Sequence, residues 1–376
     1  LPPAPCPLHP APCTLHPILH SFFPYGSGRI TMQGYITILP FFSQRHVFES
    51  LLDMARQLFV RISRSRLMER HGAWLALVLL LLVCAISSPA FRSPQNLLNI
   101  SRQISYSGII AIGMTFVIIG GGIDLSVGAL LAFSGTLGIM AMNRISHPLV
   151  GVLICLAVSL LTGAVGGMLN GLLVTLGRIP PFIVTLGTMS IFRSLTLYLA
   201  NAGLTSTSNE LFGRIGAAEI LHLPLTACLL LILTFAGSVL LNRTAFGRHL
   251  CATGANERVA LYAAIRIDLL RLATYLLCGV LAGLSAFLLG GRLSSLSSTT
   301  AGNAYEMDGI AAAIIGGTAM SGGRGSIWGT LAGAFILGIV SNVLDMWVIS
   351  ANLQGTVKGA VIIIAVLLQR QDAKHS

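Results

Sequence analysis

Long apolar runs separated by short polar stretches make up the chain from about residue 72 to residue 370. Most of these runs have the roughly 17–25 residues that a helix needs to cross a bilayer, and the second and eighth are shorter. The pattern predicts an all-α fold, a polytopic membrane bundle of about ten transmembrane helices, some of them short or broken. The predicted spans are residues 73–88, 105–120, 125–142, 149–176, 181–200, 223–241, 270–290, 309–320, 326–346 and 355–369.

The basic residues give these spans an orientation, because Arg and Lys are enriched in the cytoplasmic loops of membrane proteins. With both termini in the cytoplasm, the arginine-rich stretch 242–271 lies on the cytoplasmic side, and the other side receives fewer basic residues. Removing one span would place this stretch and the C-terminus on opposite sides of the membrane. The charges therefore favour ten spans with both termini cytoplasmic.

The composition agrees with a membrane protein. Of 376 residues, 54% are hydrophobic and 9% are charged, whereas soluble domains carry about 25% charged residues. The net charge of +11 could indicate nucleic-acid binding, but the arginines flank apolar runs and form no patch with aromatic residues. We therefore expect these charges to lie beside a lipid bilayer, and we predict no nucleic-acid partner.

Residues 1–71 are predicted to be an extension outside the folded domain, partly disordered or translated from upstream sequence. Within it, residues 1–31 are rich in Pro, His and Cys and contain a seven-residue repeat, Ala4–Pro10 and Ala11–Pro17. The Cys and His residues have the spacing of a metal site, but proline at this density prevents a packed fold, so no metal site is predicted. Candidate start positions are Met32, Met54 and Met68. The transmembrane domain is predicted to cover 72–370, and a cytoplasmic tail 371–376.

Two glycine-rich stretches interrupt the apolar pattern. Gly120–Gly122 precedes the third predicted span, and Gly322-Gly323 precedes the ninth. Irregular backbone at membrane depth must be buried in protein or line a cavity, because lipid cannot satisfy its polar groups. The stretches therefore predict breaks in two helices. Their similarity suggests an internal repeat or a shared preference for small residues at helix contacts.

Asp124, just after the first glycine stretch, has two possible roles. Its carboxylate could bind the hydroxyl groups of a substrate. It could instead cap a helix that begins near Leu125, by accepting hydrogen bonds from the amides of Ser126 and Val127. The predicted position of Asp124 near the cytoplasmic end of a span favours the cap.

Three further charges are candidates for a functional role. Arg193 lies inside the fifth predicted span and must face the bundle or water. Glu306 and Asp308 precede the eighth span on the outer side, as helix caps or contacts at the outer mouth. The candidates for a polar path or a helix break are therefore Asp124, Ser126, Arg193, Glu306, Asp308, Gly322 and Gly323.

The longest predicted cytoplasmic loop, residues 242–268, is polar enough to lie in water. A turn is expected around Gly254, and Asn256 is a suitable N-cap for a short amphipathic helix over 257–265. Glu257 would lie in the first turn of this helix, where the helix dipole favours an acidic side chain. Such a helix could dock into a groove of a partner protein or lie on the membrane surface.

Six motifs follow one another along the chain: Ala111–Gly135, Gly177–Leu195, Thr244–Arg248, Gly254–Glu257, Ala263–Ile265 and Tyr305–Gly338. Together they resemble the motifs of ATP-binding-cassette importer permeases of the ribose/monosaccharide type. The resemblance covers about residues 72–370. The chain has Tyr262-Ala263-Ala264 where the family more often has a Ser-Gly pair, so the turn into the next span is expected to differ slightly.

The resemblance implies a permease subunit, in the bacterial inner membrane, of an importer for a monosaccharide of the ribose/pentose or hexose class. It implies three protein partners: an ATPase subunit, a periplasmic sugar-binding protein, and a second permease copy or paralogue. In this family the ATPase docks on the loop that corresponds to residues 242–268, which we name the coupling loop. The residues of the coupling loop that match are Gly247, Arg248, Gly254, Ala255, Asn256 and Glu257.

The sequence itself contains no phosphate-binding loop of the G-x-x-x-x-G-K-[ST] type, and the predicted spans hold no metal-ligand cluster or nucleophile–base pair. We therefore predict a transport subunit rather than an enzyme, with no cofactor of its own and with ATP bound by the partner ATPase. A branched-chain amino-acid permease of the same superfamily is one alternative. An ion-coupled secondary transporter is another, but it would need more titratable groups at mid-membrane than the chain offers.

Overall fold

The computed structural model describes residues 66–347, together with 353, 355–360 and 363. The described residues are almost entirely helical, with a few short strands in the loops. Six of the described helices are long and apolar enough to cross a membrane. The predicted all-α membrane fold is therefore confirmed, whereas the predictions for residues 1–65 and for the tail 371–376 lie outside the described residues.

The elements follow one another as helices joined by short loops, with residues 355–360 helical as well. In chain order they are α1 (Arg66–Ser87), α2 (Pro94–Ile119), α3 (Val127–Met142), α4 (Pro148–Thr175), α5 (Pro181–Leu199), β1 (Leu204–Ser206), α6 (Glu210–Ala217), β2 (Glu219–Ile220), β3 (Leu223–Pro224), α7 (Leu225–Arg243), α8 (Ala245–Ala255), α9 (Glu257–Tyr262), α10 (Ile267–Leu293), β4 (Ser295–Ser297), α11 (Tyr305–Ile315) and α12 (Ile327–Met346).

Each predicted span up to residue 346 overlaps one of these helices, but their bounds differ from the prediction, most at α2 and at α11, which begins at Tyr305 instead of 309. The helices of spanning length are α2, α4, α5, α7, α10 and α12. The apolar part of α1 (Gly72–Ser87) and α3 are shorter, and α11 has 11 residues, about 16 Å at 1.5 Å per residue. Length alone therefore supports six spans, and the count of ten stays a prediction.

The second helix is longer than predicted. It was expected over 105–120, but α2 begins at Pro94. Ser93 caps it by accepting a hydrogen bond from the amide of Asn96 (3.3 Å), and proline is well suited to the first helical position. The polar side chains of the first turns hid this part of the helix from the apolar pattern.

The centre of the bundle is a close contact between α4 and α10. Gly163 and Gly167 on α4 face Gly279 and Gly283 on α10, and a methyl group at Gly163 or Gly283 would overlap with the backbone of the facing helix. Small residues let membrane helices approach to backbone contact and gain dispersion energy. The high glycine content of these spans thus has a packing cause.

The two helix pairs interrupted by glycine pack against each other. Thr115 on α2 and Thr330 on α12 share a buried hydrogen bond of 2.7 Å between their hydroxyl groups. On α11, Gly309 lies against the backbone of α2 at Ala111. The pair α2–α3 and the pair α11–α12 are therefore in direct contact through α2.

The loops gather alternately at two ends of the bundle. At one end, which we call the hairpin end, β1 pairs with β4, and Asn209 Nδ2 donates to the carbonyl of Pro148 at 2.9 Å. At the other, which we call the junction end, both glycine breaks and the coupling loop come together. There the amide of Gly323 donates to the carbonyl of Ile119 at 2.9 Å. The alternation follows from successive helices that run up and down through the bundle.

Candidate functional site

The side chain of Asp124 is fully buried in the first glycine break, between α2 and α3. Its Oδ1 atom accepts hydrogen bonds from the backbone amide of Ser126 (2.9 Å) and from the Ser126 hydroxyl (2.7 Å). Asn170 on α4 places its Nδ2 atom 3.4 Å from each carboxylate oxygen and 2.7 Å from Oγ of Ser126. The carboxylate is thus held by donors from its own turn and from α4.

This geometry differs in detail from the cap expected from the sequence. The helix was expected to begin near Leu125, but α3 begins at Val127. The carboxylate accepts from the amide of Ser126 and from its hydroxyl, instead of from two successive amides. Asp124 therefore closes a tight turn two residues long at the start of α3, as Asp side chains often do.

Two further hydroxyl groups extend this buried cluster through the carbonyl oxygen of Ile123. Tyr275 on α10 donates to it at 3.3 Å, and Thr185 on α5 approaches it at 3.5 Å. Both side chains are almost completely buried. We call Asp124, Ser126, Asn170, Thr185 and Tyr275 the Asp124 cluster; it joins α3, α4, α5 and α10.

Gly254 joins the coupling loop to both glycine breaks. A methyl group at this position would overlap with the carbonyl oxygen of Ile119, at the end of α2, and with the amide of Gly323. Gly322 and Gly323 both have positive φ, 84° and 79°, in the region that favours glycine. We call the contact between Ile119, Gly254 and Gly322-Gly323 the glycine junction.

The coupling loop forms two helices, where the sequence predicted a turn and one helix. Gly254 and Ala255 belong to the last turn of α8, so the expected turn around Gly254 is wrong. The end of the helix is displaced to Asn256, whose side chain accepts from the amide of Val259 at 3.2 Å, so Asn256 caps α9 as predicted. Gly254 is needed here for close backbone contact with Ile119 and Gly323, and a glycine inside a helix can make that contact. The chain therefore stays helical through Gly254, and α8 and α9 are separated at Asn256.

At the other end of α8, Thr244 caps the helix by accepting from the amide of Gly247 at 3.4 Å. Gly247 is buried against the backbone of Leu241, where a methyl group would overlap with that backbone. Arg248 is exposed. The Thr244 cap and the contact between Gly247 and Leu241 hold the turn between α7 and α8. Leu250, further along α8, is fully buried against Gly120 in the first glycine break.

The short helix α9 exposes its apolar side chains. Val259 is 60% exposed, Leu261 58% and Tyr262 90%. Ala260 is the buried residue of this helix. Exposed apolar side chains on a structured loop are typical of a surface that a partner covers.

An ion pair fixes α9 to the start of α10. The two terminal nitrogens of Arg271, Nη1 and Nη2, donate to the carboxylate of Glu257 at 3.2 and 2.7 Å. Nε of Arg271 lies 3.5 Å from the carbonyl oxygen of Gly120. Half of the Glu257 side chain is exposed, so the pair contributes little to stability despite its paired geometry. Its effect is to set the position of α9 relative to the first break.

A cavity of about 490 Å³ lies beside the middle of α5, and we call it the Arg193 cavity. Arg193 lines it and donates from Nη1 to the carbonyl oxygens of Ser298 (3.2 Å) and Ala301 (2.9 Å). Glu306, in the first turn of α11, also lines it. A cation, an anion and several hydroxyl or amide groups thus face one space inside the bundle.

Asp308 lies outside this cavity and pairs with Lys358 at 3.0 Å; both side chains are largely buried. The pair joins α11 to the helical residues 355–360. Buried charges inside membranes need a partner of opposite sign. Asp308 therefore has a structural partner and lies in the first turn of α11, and its contact at an outer mouth stays a prediction.

A second cavity, of about 770 Å³, lies at the junction end, and we call it the junction cavity. It lies between the first glycine break, the start of α5 and the coupling loop. Tyr275 is the member of the Asp124 cluster that lines this cavity. Its lining includes Gly120, Gly121, Gly122, Thr175, Arg178, Pro181, Glu257, Arg271 and Tyr275.

Several residues of these sites were not predicted from the sequence. Asn170 is the one amide in the apolar run of α4, and Lys358 is the one charge in residues 355–369, so a polar residue inside a span could have identified both. Arg271 was counted as an anchor of the positive-inside type. Tyr275 and Thr185 carried no signal, because a single Tyr or Thr is common in such helices.

Comparison with known proteins assigns the chain to a family. The sequence profile described as "Branched-chain amino acid transport system / permease component" matches residues 96–366. The chain belongs to this permease family. No solved structure matches the chain.

Curated relatives match the permease over most of its length. The ribose import permease protein of Bacillus subtilis (strain 168) is 43% identical over 83% of the chain and 96% of the relative. The D-allose transport system permease protein of Escherichia coli (strain K12) is 33% identical, over 81% and 93%. The L-arabinose transport system permease protein of the same strain is 31% identical, over 83% and 94%.

These matches confirm the resemblance seen in the motifs. The chain is a permease subunit of an ATP-binding-cassette importer, a transport component rather than an enzyme. It is a multi-pass protein of the inner membrane, in agreement with its six helices of spanning length.

Proposed function

We propose that this permease carries a monosaccharide of the ribose/pentose or hexose class across the inner membrane. The observation that carries the proposal is the match, over more than four fifths of the chain, to permeases named for ribose, allose and arabinose. The family description names branched-chain amino acids, but the full-length relatives favour a sugar. An ion-coupled transporter is disfavoured, since relatives of this length are import permeases that work with a separate ATPase.

We further propose ten spans with both termini in the cytoplasm. In this arrangement the shorter helices α1, α3 and α11 and the segment around 355–360 also lie within the membrane. The alternation of loops between the two ends supports it, and the positive-inside rule makes the junction end cytoplasmic because the arginine-rich coupling loop lies there.

The ATPase subunit, with its ATP, is proposed to dock on the coupling loop. The exposed apolar side chains of α9 supply a contact surface, and the neighbouring residues Arg248, Ala255, Asn256 and Glu257 are also exposed. Movement of the loop would reach the bundle through Gly254 and through Arg271. The periplasmic sugar-binding protein is assigned to the hairpin end, on the opposite side.

A second copy of the permease, or a paralogue, is proposed to cover the face of α5 where the Arg193 cavity opens. Ser190, Ser194 and Asn303 line this opening and are exposed. Ser190 and Asn303 each donate one hydrogen bond to a nearby carbonyl oxygen, but their remaining donors and acceptors would be unsatisfied in lipid, at a cost of several kcal/mol for each unsatisfied group. A partner subunit that encloses water on this face would remove that cost and complete a path for a polar substrate.

The proposal predicts sugar uptake that depends on ATP. The permease, its cognate ATPase and the binding protein are reconstituted in vesicles, and uptake of labelled ribose, allose, arabinose and leucine is measured with and without ATP. Uptake of at least one sugar is expected only with ATP, because the energy comes from the ATPase. An ionophore is the control, and it is expected to have no effect.

Two outcomes would contradict the proposal. Uptake of leucine without any sugar would favour the amino-acid permease. Uptake that continues without ATP and stops with the ionophore would favour an ion-coupled transporter.

A further inference from the structure

One face of α5 connects the two cavities. Pro181 lines the junction cavity, and Met189 and Arg193 line the Arg193 cavity. These positions and Thr185 recur every four residues, so they share one face of the helix. Pro181 and Met189 are about 12 Å apart along the axis at 1.5 Å per residue.

The Asp124 cluster fills the gap between the cavities. On α5, Thr185 lies one turn from Pro181 and one turn from Met189. Ser126, the residue before α3, lies about one turn from Ala129, which lines the Arg193 cavity. On α10, Tyr275 lines the junction cavity and donates to the carbonyl of Ile123. The polar cluster therefore separates two spaces that are both lined by polar groups.

The cluster has more hydrogen-bond acceptors than donors. Within the described part of the chain, Oδ1 of buried Asn170 has no hydrogen-bond partner. Oδ2 of Asp124 has one long contact, at 3.4 Å from Asn170 Nδ2. No Lys, Arg or His among the described residues forms an ion pair with Asp124. A buried acceptor without a donor costs about 1–3 kcal/mol, so the closed cluster is poised to accept hydroxyl donors.

We propose that the Asp124 cluster is the closed barrier of the sugar path and, when it opens, a subsite that accepts hydrogen bonds from the hydroxyl groups of the passing sugar. In the closed state Thr185, Ser126 and Tyr275 occupy the space between the cavities. Separation of α5 from α3 and α10 would join the cavities and turn the acceptors of Asp124 and Asn170 toward the substrate.

The inference rests on the proposed function, because it assumes that a polyhydroxylated substrate passes through the permease. Two different measurements keep the claims apart. Uptake by the wild-type importer tests the function. Access of a water-soluble reagent to the Asp124 cluster tests the barrier, and it can fail while uptake proceeds normally.

The first experiment introduces a thiol at the centre of the barrier, in the variant Thr185→Cys. Labelling by a membrane-impermeant thiol reagent is measured by mass spectrometry of the peptide, in vesicles with the ATPase and the binding protein. At rest the thiol is expected to be unreactive, since burial disfavours the thiolate. With ATP and sugar its labelling rate is expected to rise at least about tenfold, because the thiol then meets water.

Thr136→Cys is the matched control. Thr136 is also a fully buried threonine, in α3, and it lines neither cavity. Its labelling is expected to stay at the resting level under all conditions. Ala202→Cys, at an exposed position of the hairpin end, is the positive control and is expected to react with or without ATP.

A second measurement uses the unaltered permease, so it does not depend on how the variant folds. Hydroxyl-radical labelling of Tyr275 is expected to increase during turnover. Tyr106 is the control: both tyrosines are 1% exposed, but Tyr106 lines neither cavity. ATP-dependent uptake with no change at position 185 or at Tyr275 would overturn the barrier.

Discussion

Asp124 is stabilised entirely by neutral donors. Its carboxylate is fully buried, and its hydrogen bonds come from Ser126 and Asn170. A lone charge in a medium of low polarity is costly unless its surroundings are well satisfied. The cost is tolerated at positions that serve a function, which agrees with a barrier at this point of the bundle.

A substitution at Gly254 tests the glycine junction. In Gly254→Ala the added methyl group would overlap with backbone atoms of Ile119 and Gly323, and overpacking of this kind costs about 1–3 kcal/mol. We expect the permease to reach the membrane in normal amounts while ATP-dependent uptake falls about tenfold, which corresponds to a transport barrier raised by about 1.4 kcal/mol. Uptake in vesicles and the amount of permease are measured together.

Gly187→Ala is the matched control for this substitution. Gly187 is also helical, in α5, but no atom lies within 4 Å of an added methyl group. Its uptake is expected to stay at the wild-type level. Equal uptake by Gly254→Ala and Gly187→Ala would show that close contact at the junction does not matter for transport.

At this scale, local chemistry could be predicted and tertiary contacts could not. The cap at Asn256 follows from the side chain and its neighbours, and it was predicted correctly. The turn around Gly254 was wrong, because a glycine can mark either a turn or a place where backbones touch. Nothing near Asn170 in the chain indicates that it faces Asp124, 46 residues away.

Among the elements, α9 has the clearest external role. It has six residues, and its apolar side chains point into solvent while Ala260 is buried. Such a short helix is not stable alone. Its position depends on the Asn256 cap and on the Glu257–Arg271 pair, so its exposed surface is presented in a fixed orientation.

We expect Tyr262→Ala to weaken the complex with the ATPase. Tyr262 is 90% exposed, so its removal is expected to leave the permease fold intact, whereas large aromatic contacts in interfaces are worth about 2 kcal/mol or more. The loss of ATPase that co-purifies with the permease at increasing dilution measures the effect. Leu221→Ala serves as the control, because it removes a 91% exposed apolar side chain at the hairpin end. An equal loss of co-purifying ATPase in both variants would contradict the docking surface.

Helix boundaries at this scale depend on more than the apolar pattern. The range 149–176 predicted α4 almost to the residue, because its pattern is continuous. The prediction for α2 was too short, since its first turns are polar but are held by a Ser–Pro cap and by contacts with other helices. The short helix α11 begins four residues and ends five residues before the predicted range 309–320, because its first turn carries the polar residues Glu306 and Asp308 and the helix is already capped at Gly316.

For the whole molecule, the number of spans follows from how the short helices are counted. Every predicted span up to residue 346 has a helix, and the loops alternate between two ends as the prediction requires. Periodicity was sufficient to locate these helices, because it acts along the chain, whereas the orientation drawn from the charges stays a prediction. Periodicity and charge could not reveal that both glycine breaks meet the coupling loop, since that contact joins segments far apart in sequence.

The proposed orientation predicts which side each end faces. Cysteines introduced at Ala202, in the hairpin end, and at Arg258, in α9, are both at exposed positions. In intact cells an impermeant thiol reagent that reaches the periplasm is expected to label position 202 and to spare position 258. In inside-out vesicles the pattern is expected to reverse, and labelling of both from one side would refute the alternation.

The glycine junction is built from main-chain groups. Its contacts are the amide of Gly323, the carbonyl of Ile119 and the backbone at Gly254, none of which gains or loses a proton in the physiological range. These main-chain contacts are therefore insensitive to acidity and to salt, whereas the Glu257–Arg271 pair, which also holds the coupling loop, weakens as ionic strength rises. A rise in the ionic strength of the cytoplasm would thus loosen α9 and leave the contact at Gly254 in place.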